Sequence, residues 1–277
     1  MRPTFGIIGF GQMGQLMAKH LVPHGTVVVT DCVDKSAEAT ALNVTFTTLE
    51  QVAKAENVIV GVPVAVLEET LKQLAPLVGP HTLVLDVASV KVKPAGWLQT
   101  YMPPHVDILA THPLLGPQSA KNGLTGLRFV LCPLRGTVHE KVAAFGKKLG
   151  LQVHVVTPDE HDGEMAYVHA LTHLIGRTLA TMKVPDEHLK TKSYQHLLEL
   201  CDLIKDDTFQ LFKAIQTDNP YASEITATFM ATAHSLLVKS WRMIRDHREP
   251  DRLETLHNHD AYLQVPNNVL LLYAFHA

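Results

Sequence analysis

Paired cysteines, long apolar runs and an excess of positive charge are all missing from this 277-residue chain. The three cysteines, Cys32, Cys132 and Cys201, are odd in number and far apart, with no CxxC pair. That argues against a disulfide framework and against a cysteine-based zinc site. No apolar stretch approaches the ~18 uninterrupted residues that suggest a membrane span. The first apolar run, FGIIGF, is broken by glycines and carries no signal-peptide pattern. With a net charge of −3 and no Lys/Arg cluster, nothing attracts nucleic acid or a membrane surface. The expected compartment is the cytoplasm. Hydrophobic residues make up 46% and charged residues 18%, which excludes a disordered or fibrous chain. The length suits two domains of roughly 100–150 residues each.

Glycine is placed with purpose near the start. The run FGIIGF ends in Gly9, Gly11 and Gly14 and continues into the amphipathic QMGQLMAKHL, the order strand, tight turn, helix by which a dinucleotide pyrophosphate is held. Gly9 makes the turn, Gly11 lets the backbone approach phosphate, and Gly14 lets helix pack on strand. Phe10, Gln12 and Met13 complete the loop, and the free N–H groups of the helix's first turn face the anion. The run GTVVVT forms the second strand, with Asp31 at its end, roughly 20 residues beyond the glycines. A carboxylate there accepts hydrogen bonds from ribose hydroxyls and repels a 2′-phosphate, favouring NAD over NADP. An N-cap for DKSAEATAL is the other reading of Asp31, and Asp34 also suits that role.

The pattern then alternates. NVIVGVP is a third strand, ended on the cofactor side by Val62 and Pro63, and VAVLEETLKQLAPLV has helical spacing. HTLVLDVASV is a fourth strand with Asp86 and Ser89 at its end, DILATHP a fifth finishing at His112, and RFVLCPL a sixth. A helix follows from His139 to Leu149. This alternation implies a Rossmann-type, parallel, doubly wound sheet over residues 1–156. From Thr157 the chain reads as helices only, giving a helical substrate and dimerisation domain over 157–277 and a homodimer paired through it. The tail from Pro250 receives no assignment.

Histidine is abundant, with 17 in the chain. His169 and His173 stand four apart on a helical pattern, which metal ligation would permit, but no Glu follows His169 as a metalloprotease needs, and no metal is expected. His112 is the candidate base, since an imidazole of pKa near 6.5 takes a hydroxyl proton at neutral pH. Ser89 hydrogen-bonds the same hydroxyl or orients the imidazole, and Pro113 and Gly116 shape the loop beside it.

DVASVK, THPLLGP with the following QSAKNG, and HDGEMAYVHALTHLIGRTL together resemble the prephenate and arogenate dehydrogenases of tyrosine biosynthesis. THLIGRTL and KTKSYQHLLELCDLIKDDTFQLFKAI look closest to the plant-type arogenate enzymes. The resemblance implies NAD(P)-dependent oxidative decarboxylation of a cyclohexadienyl acid, with His112 as catalytic histidine and Ser89 near the hydroxyl and nicotinamide. His173 matches the first histidine of the family's SHLPH segment. Gly176 replaces the second, a loss shared with many arogenate-type members, which favours arogenate over prephenate. Gln118 stands where the family has an acid. The family's carboxylate-binding arginine has no clear match, leaving Arg177, Lys205 or Lys213 as the cation. Asp31 departs from the NADP preference of the plant-type members. The expectation is arogenate oxidation to tyrosine with NAD, against prephenate as substrate or a silent NAD-binding regulator. A 3-hydroxyacid dehydrogenase would need a GxxxK helix start, which the sequence lacks.

Overall fold

The structure, a computed structural model, describes residues 2–205 and 207–246, with side chains as far as residue 240. The tail 250–277 lies outside the described residues. One eight-stranded sheet carries the first half of the chain. In chain order it comprises β1 (Thr4–Ile8), α1 (Gln12–Leu21), β2 (Thr26–Thr30), α2 (Ser36–Ala41), β3 (Thr45–Phe46), α3 (Leu49–Val52), β4 (Asn57–Val60), α4 (Val64–Leu74), β5 (Leu83–Asp86), α5 (Val92–Tyr101), β6 (Asp107–Leu114), β7 (Arg128–Arg135), α6 (His139–Lys148) and β8 (Gln152–Val155). The strand order is β3-β2-β1-β4-β5-β6-β7-β8.

The expected Rossmann sheet is present, with one correction. β7 pairs antiparallel with β6, His112 opposite Val130, and β8 runs parallel to β7. RFVLCPL is therefore not a further parallel strand. No helix lies between β6 and β7, and a parallel return would require such a crossover. β3 and β8 were not read from the sequence. β3 has only two residues, and β8 leaves Gln152, His154 and Val155 exposed, so neither has an apolar run.

Strands β4 and β5 are buried on both faces, as their continuous apolar sequence requires in a parallel sheet. On one face Val84, Ile108 and Val130 meet Leu67, Leu71 and Leu74 of α4 and Leu98 of α5. The buried positions of α4 recur at 64, 67, 71 and 74, one helical stripe. On the other face Leu83, Leu85, Leu109 and Leu131 share a cluster with Ala18 and Leu21 of α1.

From Thr157 onward the described residues contain helices and no strand. Thr157 opens α7 (Pro158–Met165) with a reciprocal capping box to Glu160 and Pro158 in the first turn. A π-helical segment (Ala166–Leu171) then leads into α8 (Thr172–Thr181), followed by α9 (Lys192–Ile204), α10 (Phe209–Thr217) and α11 (Ala222–Asp246). Residues Met1–Ala227 form one compact unit. In a second, beginning at Thr228, the described residues continue α11. Among the described residues, no helix is long and apolar enough to cross a membrane.

The glycine turn is held by sterics. Gly9 has φ +93°, and a Cβ there would stand 2.6 Å from the Gly61 carbonyl oxygen. A Cβ on Gly14 would collide with the Gly9 carbonyl oxygen. Gly14→Ala is therefore expected to lower stability by about 1–3 kcal/mol, read as a reduced urea midpoint; an unchanged midpoint would show that α1 can shift away.

Candidate active site

The C-terminal ends of β1, β4, β5 and β6 stand side by side. Gly61 N–H donates to Ile8 O at 2.7 Å, Val87 N–H to Val60 O at 3.3 Å, and Asp86 lies in register with Ala110. This edge brings together the glycine loop, Val62 and Pro63 after β4, Ser89 after β5, and His112 within β6. Ligands of open α/β sheets lie along this edge, at the point where the order of strands reverses, which here falls between β1 and β4.

At the loop, Gly11 and Gln12 are exposed, and a Cβ on Gly11 would meet nothing within 4 Å. Helix α1 begins there with no acidic residue in its first turn, and its first N–H groups lack helical partners. Phe10 is fully buried, and its N–H donates to Asp31 Oδ2 at 2.7 Å, tying the loop to the end of β2. Val33 N–H donates to Oδ1 at 3.1 Å. Burial pushes the Asp31 carboxyl up, but the N–H groups of Phe10 and Val33, the Cys32 thiol and the Lys35 charge outweigh it and hold the group below the ordinary carboxylate range. Asp34 is the residue that accepts from Ser36 N–H at the start of α2, at 2.9 Å. Backbone donors beside a fixed carboxylate fit a pyrophosphate and an adenosine ribose.

His112 is 4% exposed, and its Nδ1 lies 2.8 Å from His161 Nε2. His161 Nδ1 lies 2.7 Å from Asp162 Oδ1. Asp162 in turn accepts from Lys91 N–H at 2.7 Å and Val92 N–H at 2.8 Å, at the start of α5. Beneath this, the fully buried Lys91 ammonium donates to Asp86 Oδ2 and Thr111 O, each at 2.5 Å. The ring of His169 lies 5.6 Å from that of His112, and the ring of His173 lies 4.4 Å from that of His169. His161 stands on α7 and His169 in the π-helical segment, and both rings lie beside that of His112.

The sequence reading did not assign His161, Asp162 or Lys91. The dipeptide at 161–162 sits in a helix's first turns, where polar residues are common, and only the fold reveals its partners. DVASVK was recognised as a motif, yet nothing local marks Lys91 as the buried cation. Among the described residues no cluster suits a metal ion.

The other candidates lie farther out. His173 is buried on α8, 3.6 Å from Asp207 Oδ2. Arg177, one turn on, donates to Asp207 O at 2.9 Å and lies over Phe209 and Phe212. A Cβ on Gly176 would crowd the Ile204 and Leu200 side chains of α9, so this position packs helix on helix. Gly116 is half-buried and Gln118 exposed on the loop after β6; Lys213 is exposed on α10, and Lys205 pairs with Asp202. Cys132 is buried, and burial pushes its thiol up to about 12. A separate apolar cleft of about 460 Å³ between α1 and α6 includes Met13 but none of the clustered histidines.

Burial holds His112 well below the ordinary histidine value, helped by His169, His161 and Lys91. Burial also lowers His169 to about 3, and His173 is lowered by burial against the opposing pull of Asp207. These histidines bind fewer protons folded than unfolded at mildly acid pH. Their contribution to stability is therefore present above about pH 6.5 and lost as pH falls through it. Urea midpoints are expected to drop between about pH 7 and about pH 5, less steeply in His169→Gln. A flat profile, or equal slopes, would contradict the assignment.

A family model described as "Prephenate dehydrogenase, nucleotide-binding domain" matches residues 16–157, and one described as "TYRAAT1-like, C-terminal domain" matches residues 178–238. Arogenate dehydrogenase 1, chloroplastic, of Arabidopsis thaliana is 30% identical over 98% of this chain and 43% of its own length. A probable arogenate/prephenate dehydrogenase of Methanocaldococcus jannaschii is 32% identical over 82% of this chain and 54% of its own. The chain thus spans about half the length of these curated relatives. Among solved structures, Aquifex aeolicus prephenate dehydrogenase in complex with hydroxyphenyl propionate and NAD+ superposes with a TM-score of 0.68 at 18% identity, covering 98% of both chains. Synechocystis arogenate dehydrogenase gives 0.55 at 20% identity, over 97% of this chain and 96% of that one. The match over residues 16–157, half of the sequence, identifies this chain as a member of the prephenate dehydrogenase family.

Proposed function

We propose that this chain oxidises and decarboxylates arogenate to tyrosine with NAD, using His112 as the base. The observation that carries the reading is a buried histidine on the same strand edge as an exposed glycine turn and helix start. Bound NAD would supply the hydride acceptor. Gly9, Gly11 and Gly14 with the first N–H groups of α1 would hold its pyrophosphate, Asp31 its ribose, and Val62 and Pro63 would border it.

His112 would take the ring hydroxyl proton as the C–H bond beneath breaks, and Ser89 would hydrogen-bond that oxygen. Loss of the ring carboxylate as neutral carbon dioxide sends its electron pair into the ring, which becomes aromatic. The oxygen then regains a proton. With the carboxylate ionised and NAD reduced, no net proton is released, so His112 returns the proton it took. His173 and Arg177 would face the carboxylated side chain beyond His169, with Lys213, Gly116 and Gln118 bordering the site less closely. Support for arogenate comes from the relatives named for it and from Gly176, which stands in place of the family's second histidine and packs on α9.

We also propose a cytoplasmic homodimer paired through the helical half. Its support is the free thiols and the exposed Met230, Leu236 and Leu237 on α11. Light scattering at twice the monomer mass would bear the homodimer out.

Initial rates of cofactor reduction, with arogenate and prephenate each tested against NAD and NADP, check the assignment. Arogenate with NAD is expected to be the best pair, and His112→Gln to lose about 10²–10⁴-fold in kcat. Preference for prephenate would overturn the substrate; NAD binding without turnover of either acid would point to the regulator. Asp31→Ser is expected to raise the NADP-to-NAD ratio of kcat/KM at least about tenfold, or 1.4 kcal/mol. No change would remove Asp31 from the cofactor site.

A further inference from the structure

Taking His112 as the base proposed above, we propose that His161 and Asp162 are positioning residues that fix its proton on Nδ1 and leave Nε2 as the basic nitrogen. The assignment follows from the order of hydrogen bonds. Asp162, as a carboxylate, only accepts. Both of its oxygens are held by backbone donors, Lys91 N–H on Oδ1 and Val92 N–H on Oδ2, and Asn219 Nδ2 donates to its carbonyl at 2.8 Å. The 2.7 Å contact between Asp162 Oδ1 and His161 Nδ1 therefore requires the proton on that nitrogen.

In the proposed relay His161 is the neutral ring, whose single N–H goes to Asp162, so that His161 Nε2 is an acceptor. It lies 2.8 Å from His112 Nδ1, which must then donate. The reverse tautomer of His112 would set two lone pairs against each other at that distance. Water offers no alternative, because His112 is 4% exposed, His161 2% and Asp162 0%.

The chain Asp162–His161–His112 thus works as a carboxylate-oriented base with a second imidazole interposed. When His112 accepts a proton on Nε2, its Nδ1–H keeps the same partner and the ring does not rotate. The positive charge then faces the dipole of His161, which is itself oriented by the Asp162 carboxylate. The other groups facing His112 are His169 from the π-helical segment and the Lys91 ammonium, the latter paired with Asp86. Neither makes a hydrogen bond that would choose between the two nitrogens.

The test is ¹⁵N-histidine labelling with long-range proton–nitrogen correlation, which reports the tautomer of His112; its signals are assigned by their loss in His112→Gln. The expected spectrum is a neutral Nδ1–H ring. In His161→Leu the tautomers should mix, and kcat should fall at least about tenfold with KM changed less than about threefold. In His161→Gln, whose amide can accept from His112 and donate to Asp162, most of both properties should return.

An Nε2–H ring in the wild type overturns the proposal, as does a His161→Leu protein with unchanged tautomer and kcat. Should His161→Leu fail to fold, the wild-type spectrum and His161→Gln still decide. The correct tautomer, lost in His161→Leu, in a protein that turns over neither acid would uphold the relay and reject the dehydrogenase reading.

Discussion

The carboxylate of Asp162 is the interaction on which the rest of the site depends. One oxygen serves both His161 and the Lys91 backbone, while the other caps Val92, so a single buried group joins α7 to the start of α5 and orders the imidazoles. A carboxylate in such a place is tolerated because its lone pairs are met by three donors. Removing its charge would leave N–H groups at the start of α5 short of acceptors and release His161 from its orientation.

The same economy holds one layer below. Lys91 and Asp86 form a fully buried pair whose ammonium also serves the Thr111 carbonyl, beside His112. Breaking one partner of such a pair commonly costs about 3–5 kcal/mol, although the pair itself contributes little net stability. What it fixes here is position, since β5, α5 and β6 cannot slide without stranding a charge. The histidines above are thereby held in a dry site. The cofactor edge works by the opposite principle, leaving backbone donors around Gly11 open to meet a ligand.

How much of this is legible in the sequence depends on the range of the signal. Local signals carry far: the glycine turn, the apolar β4 and β5, and the stripe at Leu67, Leu71 and Leu74 can all be read from short windows, as can a Ser89 beyond β5 and a His112 near the end of β6, although β6 runs on to Leu114. Signals that need a partner elsewhere cannot. His161 and Asp162 look like ordinary polar residues of a first helical turn until α5 is docked beside them. Alternation alone implies a parallel β7, whereas no helical pattern separates Leu114 from Arg128 and the strand returns antiparallel. The π-helical segment has no composition of its own, and one of its carbonyls, Ala170 O, accepts from Gln216 at 2.7 Å. Gly176, read as a missing histidine, is in the fold a close contact of α8 with Ile204 and Leu200 of α9.

The most direct measurement of the central claim follows a single atom. Arogenate deuterated at the ring carbinol carbon is incubated with NAD, and the reduced cofactor and product are weighed by mass spectrometry. If the glycine edge and the histidine edge serve one reaction, a deuterium appears in the reduced cofactor and is absent from the tyrosine formed, and neither product accumulates with His112→Gln. Reduced cofactor without the label, or undiminished labelled transfer in His112→Gln, would contradict the account.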